Sequence, residues 1–249
     1  MLILAIDTTG EKGGVGIYRD AACLALVPHE GSASRFSITL FEMVEQALTL
    51  AHLELRDIDL YAAANGPGSF TGIRVGLAAL RAWGRAFDRP VRGVSVLEAM
   101  VYKQGLGGQD SVTASSGPDW YFPILNARRG EFFLGSFRRR HSEPAEANQP
   151  EYEWMEDGWV LKPEALRTLV QERVASGANA ACIVRAHDQA AADLRPTLPP
   201  SLNWWQVEGV LMDSIAAIAL RQEQSRRPCA AAQLDAYYIR RPDAENQLD

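Results

Sequence analysis

The chain is short of the residues that build metal and redox sites. Its four histidines, His29, His52, His141 and His187, are scattered over 249 residues, and no His-Glu-x-x-His segment occurs. Two histidines four apart would put both imidazoles on one helix face, and that spacing is missing. The three cysteines, Cys23, Cys182 and Cys229, are odd in number and far apart. That excludes a disulfide framework and a Cys-x-x-Cys site, and it fits a reducing compartment. No apolar run approaches the roughly 18–20 residues that span a bilayer. The start, Met1 to Asp7, is too short and lacks the basic lead of a signal peptide. A cytoplasmic location is therefore expected. Positive charge is not in excess either: the net charge is −6 and the pI about 5.3. That argues against a global attraction to nucleic acid. Arginines cluster only locally, at Arg128-Arg129, Arg138-Arg139-Arg140 and Arg240-Arg241, and read as solvated strand ends. Two phosphate-binding patterns are also missing, Gly-x-x-x-x-Gly-Lys-Ser/Thr and Gly-x-Gly-x-x-Gly, which excludes a P-loop and a dinucleotide fingerprint.

What is present is ordinary globular composition, 47% hydrophobic and 22% charged, with one unusual segment. Asn65-Gly66-Pro67-Gly68-Ser69-Phe70-Thr71-Gly72-Ile73-Arg74-Val75-Gly76 follows a small, apolar run, Leu60 to Ala64, that reads as a buried strand. It leads into Leu77 to Trp83, which reads as a helix. A strand-to-helix turn of this kind points free N–H groups and a helix N-terminus at one place, which suits an anion. The same glycines equally suit a tight turn and close helix–strand packing.

Leu2 to Ile6 reads as a buried strand, Asp7-Thr8-Thr9-Gly10 as a turn, and Val15 to Tyr18 and Cys23 to Val27 as two more strands of an antiparallel meander. An amphipathic helix is expected from Phe36 to Ala51, then the strand near Leu60, the glycine turn, a helix to about Phe87 and a strand from Val91 to Val96. Gly105 to Asp119 reads as a connection rich in small and polar residues. The second half repeats the plan faintly. Trp120 to Asn126 reads as a strand, Ala127 to Gly130 as a turn, and Glu131 to Phe137 as the returning strand. A polar loop at His141 to Pro150 follows, then a helix from Pro163 to Ser176, a strand from Ala180 to Ala186, a short helix from Asp188 to Leu194, and a helix from Val210 to Arg221. A repeat at half the chain length suggests duplicated lobes. The expected fold is α/β and two-lobed, of the actin/hexokinase/Hsp70-like (ASKHA) kind with βββαβα-type lobes. The boundaries drawn are 1–106 for a partner-binding first lobe and 107–249 for the second, the last helix packing back on the first.

Several segments resemble the TsaB (YeaZ) family: Leu4-Ala5-Ile6-Asp7-Thr8, the Gly-Pro-Gly-Ser-Phe-Thr-Gly segment from Gly66, Gly93 to Ala99, Asn126-Ala127-Arg128-Arg129-Gly130-Glu131, and the terminal Tyr237-Tyr238-Ile239-Arg240. The resemblance implies a non-catalytic subunit of the complex that makes threonylcarbamoyladenosine beside the anticodon of tRNA. There it would bind and stabilise the catalytic paralogue TsaD, alongside the ATPase TsaE. It further implies a homodimer when the chain is alone, tRNA met only through the complex, and no cofactor of its own, ATP or ADP belonging to the full complex. The alternative is an ASKHA enzyme that uses nucleotide, a small-molecule kinase or a carbamoyl transferase. TsaD-like proteins hold a metal on two histidines four apart on the first helix; here Phe36 and Leu40 stand in that spacing, so no metal is expected. No nucleophile–base pair supports a peptidase.

Two sets of residues carry the expectations about sites, and no catalytic residue is assigned. A relic of a nucleotide or phosphate loop would comprise Asp7, Thr8, Thr9, Gly66, Gly68, Ser69, Thr71 and Gly72. Asp7 could equally be a turn-capping aspartate. The matching turn of the second lobe offers Asn126, and an amide neither acts as a base nor carries charge to a cation. The first helix and the glycine-turn helix carry apolar residues around much of their circumference, Ile38, Leu48, Val75, Trp83 and Phe87 among them. A partner surface is expected at Phe36, Leu40, Phe41, Met43, Val44, Ile73, Leu77 and Leu80. If those side chains instead point inward, they are core.

Overall fold

Two five-stranded sheets organise the chain in a computed structural model that describes residues 1–29, 31, 35–105, 117–140, 152–174, 177–225, 235, 236 and 239. The first unit comprises Met1–Ala99 and Gly209–Tyr237. Its strands are β1 (Leu2–Asp7), β2 (Gly14–Arg19), β3 (Ala22–Pro28), β4 (Leu60–Gly66) and β5 (Val91–Ser95), in the order β3-β2-β1-β4-β5. The first three form the antiparallel meander, while β4 pairs parallel with β1 and β5 parallel with β4. Helix α1 (Phe36–Ala51) joins β3 to β4, and α2 (Phe70–Ala86) joins β4 to β5. Helix α3 (Val96–Gly105) follows β5 directly.

The second unit takes Met100–Glu208 and Tyr238–Asp249. Its strands are β6 (Trp120–Arg128), β7 (Glu131–Arg139), β8 (Tyr152–Leu161), β9 (Ala180–Arg185) and β10 (Asn203–Val207). Read from β8, the order is β8-β7-β6-β9-β10, the pattern of the first sheet. Antiparallel and parallel pairings fall at the same places. Helix α4 (Pro163–Val174) takes the place of α1, and the four-residue α5 (Gln189–Ala192) that of α2. The duplicated ASKHA plan is thus explicit in the topology.

Burial explains the strand sequences. Strand β1 is an unbroken apolar run because both of its faces are covered. On one face Leu4 and Ile6 share a core with Phe36, Leu40, Val44, Ile73, Leu77 and Leu80 of α1 and α2. The other face of the sheet is covered by α6 (Met212–Gln224), which packs on β1, β2, β4 and β5. The second sheet packs Phe122, Ile124, Leu134, Cys182 and Val184 against Leu166 and Val170 of α4. Burial pushes the Cys182 thiol up to about 12, so it stays protonated and inert at neutral pH.

Three elements depart from the sequence reading. Strands β8 and β10 and helix α3 were not expected. β8 carries Glu153, Glu156 and Asp157 among its aromatics, which hides its alternation. β10 is five residues long and follows Pro199-Pro200. At Val96 the chain is already helical, where a strand end was expected. The segment His141–Pro150 and residues 106–116 of the Gly105–Asp119 connection lie outside the described residues.

An ion pair with one buried partner ties helix α6 to β5. Arg92, 7% exposed at its side chain on β5, donates through Nη2 to Oε2 of Glu223 at 2.6 Å. Glu223→Ala strands the guanidinium in the interior, and loss of roughly 3 kcal/mol is expected in a denaturant titration. The Arg92→Met, Glu223→Leu double variant should recover most of it, because an apolar pair of similar size removes the stranded charge.

Candidate functional site

The end of β1 and the start of α2 meet at one turn, and their contacts are all short. The Asp7 side chain bends back on its own strand end. Its Oδ1 accepts from the Thr9 backbone N–H at 2.9 Å and from the Thr9 hydroxyl at 2.6 Å. Thr8 points the other way, and its hydroxyl donates to the Gly72 carbonyl at 2.7 Å. The Ser69 N–H donates to the Thr9 carbonyl at 2.7 Å. Ser69 then caps α2, its Oγ accepting from the Gly72 N–H at 3.3 Å, an ordinary serine cap. Asp7, Thr8 and Thr9 are all buried. Gly66 ends β4, Gly68 lies in the turn, and Thr71 is exposed on the first turn of α2.

The glycines are there for contact. A Cβ on Gly72 would run into the Thr8 carbonyl oxygen, one on Gly68 would lie 2.5 Å from the Thr9 oxygen, and one on Gly76 would lie 2.6 Å from Thr8 Oγ1. Gly72 and Gly76 stand one turn apart on the inner face of α2 and leave the groove that Thr8 fills. All eight residues expected at the loop, Asp7, Thr8, Thr9, Gly66, Gly68, Ser69, Thr71 and Gly72, belong to this turn and the elements that enter and leave it. The N-terminus of α2, with its partial positive charge, points at it.

The second unit repeats the device with other atoms. Asn126 Oδ1 accepts from the Arg128 N–H at 2.7 Å, the same two-residue bond that Asp7 makes. Asp188 caps α5 through Oδ1 and accepts from the Asn126 N–H through Oδ2 at 2.8 Å. No group of three or more His, Cys, Asp or Glu side chains that could hold a metal occurs among the described residues.

The expected apolar surface needs correction. Phe36, Leu40, Met43, Val44, Ile73, Leu77 and Leu80 are all buried in the core of the first unit. They form the inner stripes of α1 and α2, and the sheet already covers them. Only Phe41 of that set faces solvent, 62% exposed, its ring edge-on to Trp83 of α2 at 6.1 Å between centroids. Ile38, one turn before it, is 74% exposed, and Phe70 at the start of α2 is 42% exposed under the Arg74 guanidinium. The sequence could not rank the stripes by apolar content alone, since α1 is apolar on more than one side.

Duplicated units with this βββαβα topology define an ASKHA protein. A crystal structure from Pseudomonas aeruginosa, described as similar to peptidase YEAZ, superposes with a TM-score of 0.68 at 21% identity, covering 96% of this chain and 99% of that one. Ethanolamine utilization protein EutJ from Carboxydothermus hydrogenoformans gives a TM-score of 0.50 at 10% identity over 88% of this chain and 89% of that one. The family model for TsaD, tRNA N6-adenosine threonylcarbamoyltransferase, matches residues 26–176. The tRNA threonylcarbamoyladenosine biosynthesis protein TsaB of Escherichia coli is 31% identical over 180 residues, covering 69% of this chain and 67% of that protein. TsaB of Bacillus subtilis is 26% identical over 57% of each chain. The chain belongs to the TsaB (YeaZ) family, a branch of the TsaD-related ASKHA proteins.

Two pairs of substitutions test the turn. Gly72→Ala should lower stability by roughly 1–3 kcal/mol or more through the clash with Thr8, whereas Gly10→Ala, with open space around it, should stay within about 0.5 kcal/mol of the parent. Asp7→Ala leaves the buried Thr9 N–H without its acceptor and should cost about 1–3 kcal/mol. Asp7→Asn keeps an acceptor oxygen and should cost clearly less. Thermal or urea unfolding of the four variants checks both expectations.

Proposed function

We propose that this chain is a non-catalytic subunit of the machinery that makes threonylcarbamoyladenosine in tRNA, and that it works by binding and stabilising a TsaD-type paralogue. Membership of the TsaB family supports this reading. So does one observation in the structure: α1 keeps Ile38 and Phe41 in solvent although the core beneath it is complete. Two large exposed side chains one turn apart make the apolar centre of a docking face. Partners of the assembled complex would be the TsaD-type paralogue and a TsaE-type ATPase, with tRNA reached through the assembly and ATP or ADP belonging to it. Alone, the same face would pair two copies of the chain. The turn at Asp7 is, on this reading, the scaffold that sets α2 in place. It is also the place where any trace of an ancestral phosphate loop would lie. A kinase or transferase would need a base or metal ligand on the second unit's turn, where Asn126 offers an amide. No helix among the described residues is long and apolar enough to cross a membrane, and the cytoplasm is the proposed location.

The buried and exposed stripes of α1 separate docking from folding. Leu40→Glu should unfold the protein, because Leu40 is wholly buried. Phe41→Glu should leave the circular dichroism spectrum and melting of the free chain close to the parent's. It should weaken binding to the TsaD-type paralogue by roughly 100-fold or more, since the carboxylate would be buried unpaired in the complex. Sedimentation with and without the paralogue reads the outcome, and a folded Phe41→Glu chain with parental affinity would remove this face from the interface.

A further inference from the structure

The outer face of α2 differs from that of α1 in the sign of its charge. Helix α2 contains Arg74, Arg81 and Arg85 and no acidic residue. Helix α1 contains Glu42 and Glu45 and no basic residue. All five of these side chains are exposed. At 3.6 residues per turn, Arg74, Ala78, Arg81 and Arg85 fall within about 60° of one another. Trp83, which meets Phe41 of α1, lies on the opposite side of the helix. Between them the exposed positions are Thr71, Ala82 and Ala86, small enough for another backbone to come close. The face thus runs from carboxylates and apolar anchors on α1, across these small residues, to an arginine rim on α2.

One arginine of that rim, Arg81, already meets a carboxylate. Asp235, far along the chain but in the same unit, places Oδ1 3.6 Å from Arg81 Nη2. The Asn65 side-chain amide donates to the Asp235 carbonyl at 3.5 Å, and Ala236 packs against the core of the first unit. A carboxylate of this chain, that of Asp235, therefore already meets the rim at Arg81. Both side chains of the pair are largely exposed, at 44% and 94%, so the contact is one that a competitor can displace.

We infer that the α2 arginines read carboxylates on the docking partner, an acidic protein segment that runs beside α2 while the partner's apolar residues cover Ile38 and Phe41. This rests on the docking role proposed above and adds the chemistry of the occupant. Rim charges act on encounter and on choice of partner more than on total affinity. Opposite charge on the two helices also fixes direction: a partner must bring acid to α2 and base, or no charge, to α1. Phosphates of an RNA strand would meet the same arginines, but the carboxylates Glu42 and Glu45 on the same face and a net charge of −6 disfavour that occupant.

The test uses the full chain and the TsaD-type paralogue of the same organism. Binding is measured for the parent, for Phe41→Glu, and for a triple variant Arg74→Glu, Arg81→Glu, Arg85→Glu, at about 0.05 and 0.5 M salt, where screening lengths differ severalfold. The reversed positions are exposed, so circular dichroism should show the triple variant folded. The expected result is a fall in affinity of at least tenfold at low salt, carried mainly by the association rate, that shrinks at high salt. A triple variant with parental affinity and parental salt dependence, while Phe41→Glu abolishes binding, overturns the carboxylate reading and leaves the docking face standing. If Phe41→Glu also binds as the parent does, the docking role itself fails. Loss of tRNA binding by the triple variant with the paralogue still bound at parental affinity assigns the arginines to RNA. Self-association of the chain that the triple variant alone abolishes, with paralogue binding unchanged, assigns them to a second copy. Either of these last results overturns the inference.

Discussion

Everything in the first unit is arranged around the approach of α2 to the turn after β1. The helix can start where it does only because Gly68, Gly72 and Gly76 let Thr8 and Thr9 come within bonding distance of its backbone. Once that contact is made, the position of α2 over the sheet is set, and Ile73, Leu77 and Leu80 drop into the core beside Leu4 and Ile6. The same placement turns Phe70, Arg74, Arg81 and Arg85 outward. A single Cβ at Gly72 would push the helix away from the turn and loosen the core beneath it. The glycine-rich segment looks like a phosphate loop in sequence because both devices need backbone to come close to something. Here the partner at close range is another stretch of backbone.

The second unit shows what happens when that constraint is relaxed. It keeps the two-residue bond at the strand end, with Asn126 in place of Asp7, and it keeps a capping side chain, with Asp188 in place of Ser69. Yet the helix that Asp188 starts is four residues long, against seventeen for α2. No glycine pair lines it, and no long helix is pinned across the sheet at that place. The two units share a topology and diverge in the helix that follows the fourth strand of each.

The fold could be read from the sequence where one face of an element was plainly apolar or a turn was plainly marked. Helix α1 runs from Phe36 to Ala51 as expected, and the strand–turn–helix at Leu60 to Ala86 is where the glycines put it. The duplication was visible as a faint likeness of Leu2–Asp7 to Trp120–Asn126, and the strand orders make it plain. Elements with mixed faces could not be read: β8 with its three acids, and β10 behind two prolines. The candidate site divided in the same way. Asp7 was legible as a turn residue because its chemistry is local, a side chain bonding two residues along its own chain, whereas the Thr8–Gly72 bond joins residues 64 apart. The site's surface residues were not legible, because Leu40 and Phe41 are equally apolar and adjacent. Which of the two faces water depends on the sheet that lies across the helix, a long-range fact that periodicity does not carry.

Helix α6 belongs to the first unit but comes after the whole sheet of the second. During synthesis, β1 to β5 therefore leave the ribosome long before the helix that covers one of their faces exists. At translation speeds of roughly 5–20 residues per second, that apolar face waits on the order of ten seconds for its cover. The nascent first unit is an open sheet in that interval, with apolar surface that α6 has yet to cover. A chain cut short after β10 would leave that face of the first sheet uncovered although all five of its strands had been made.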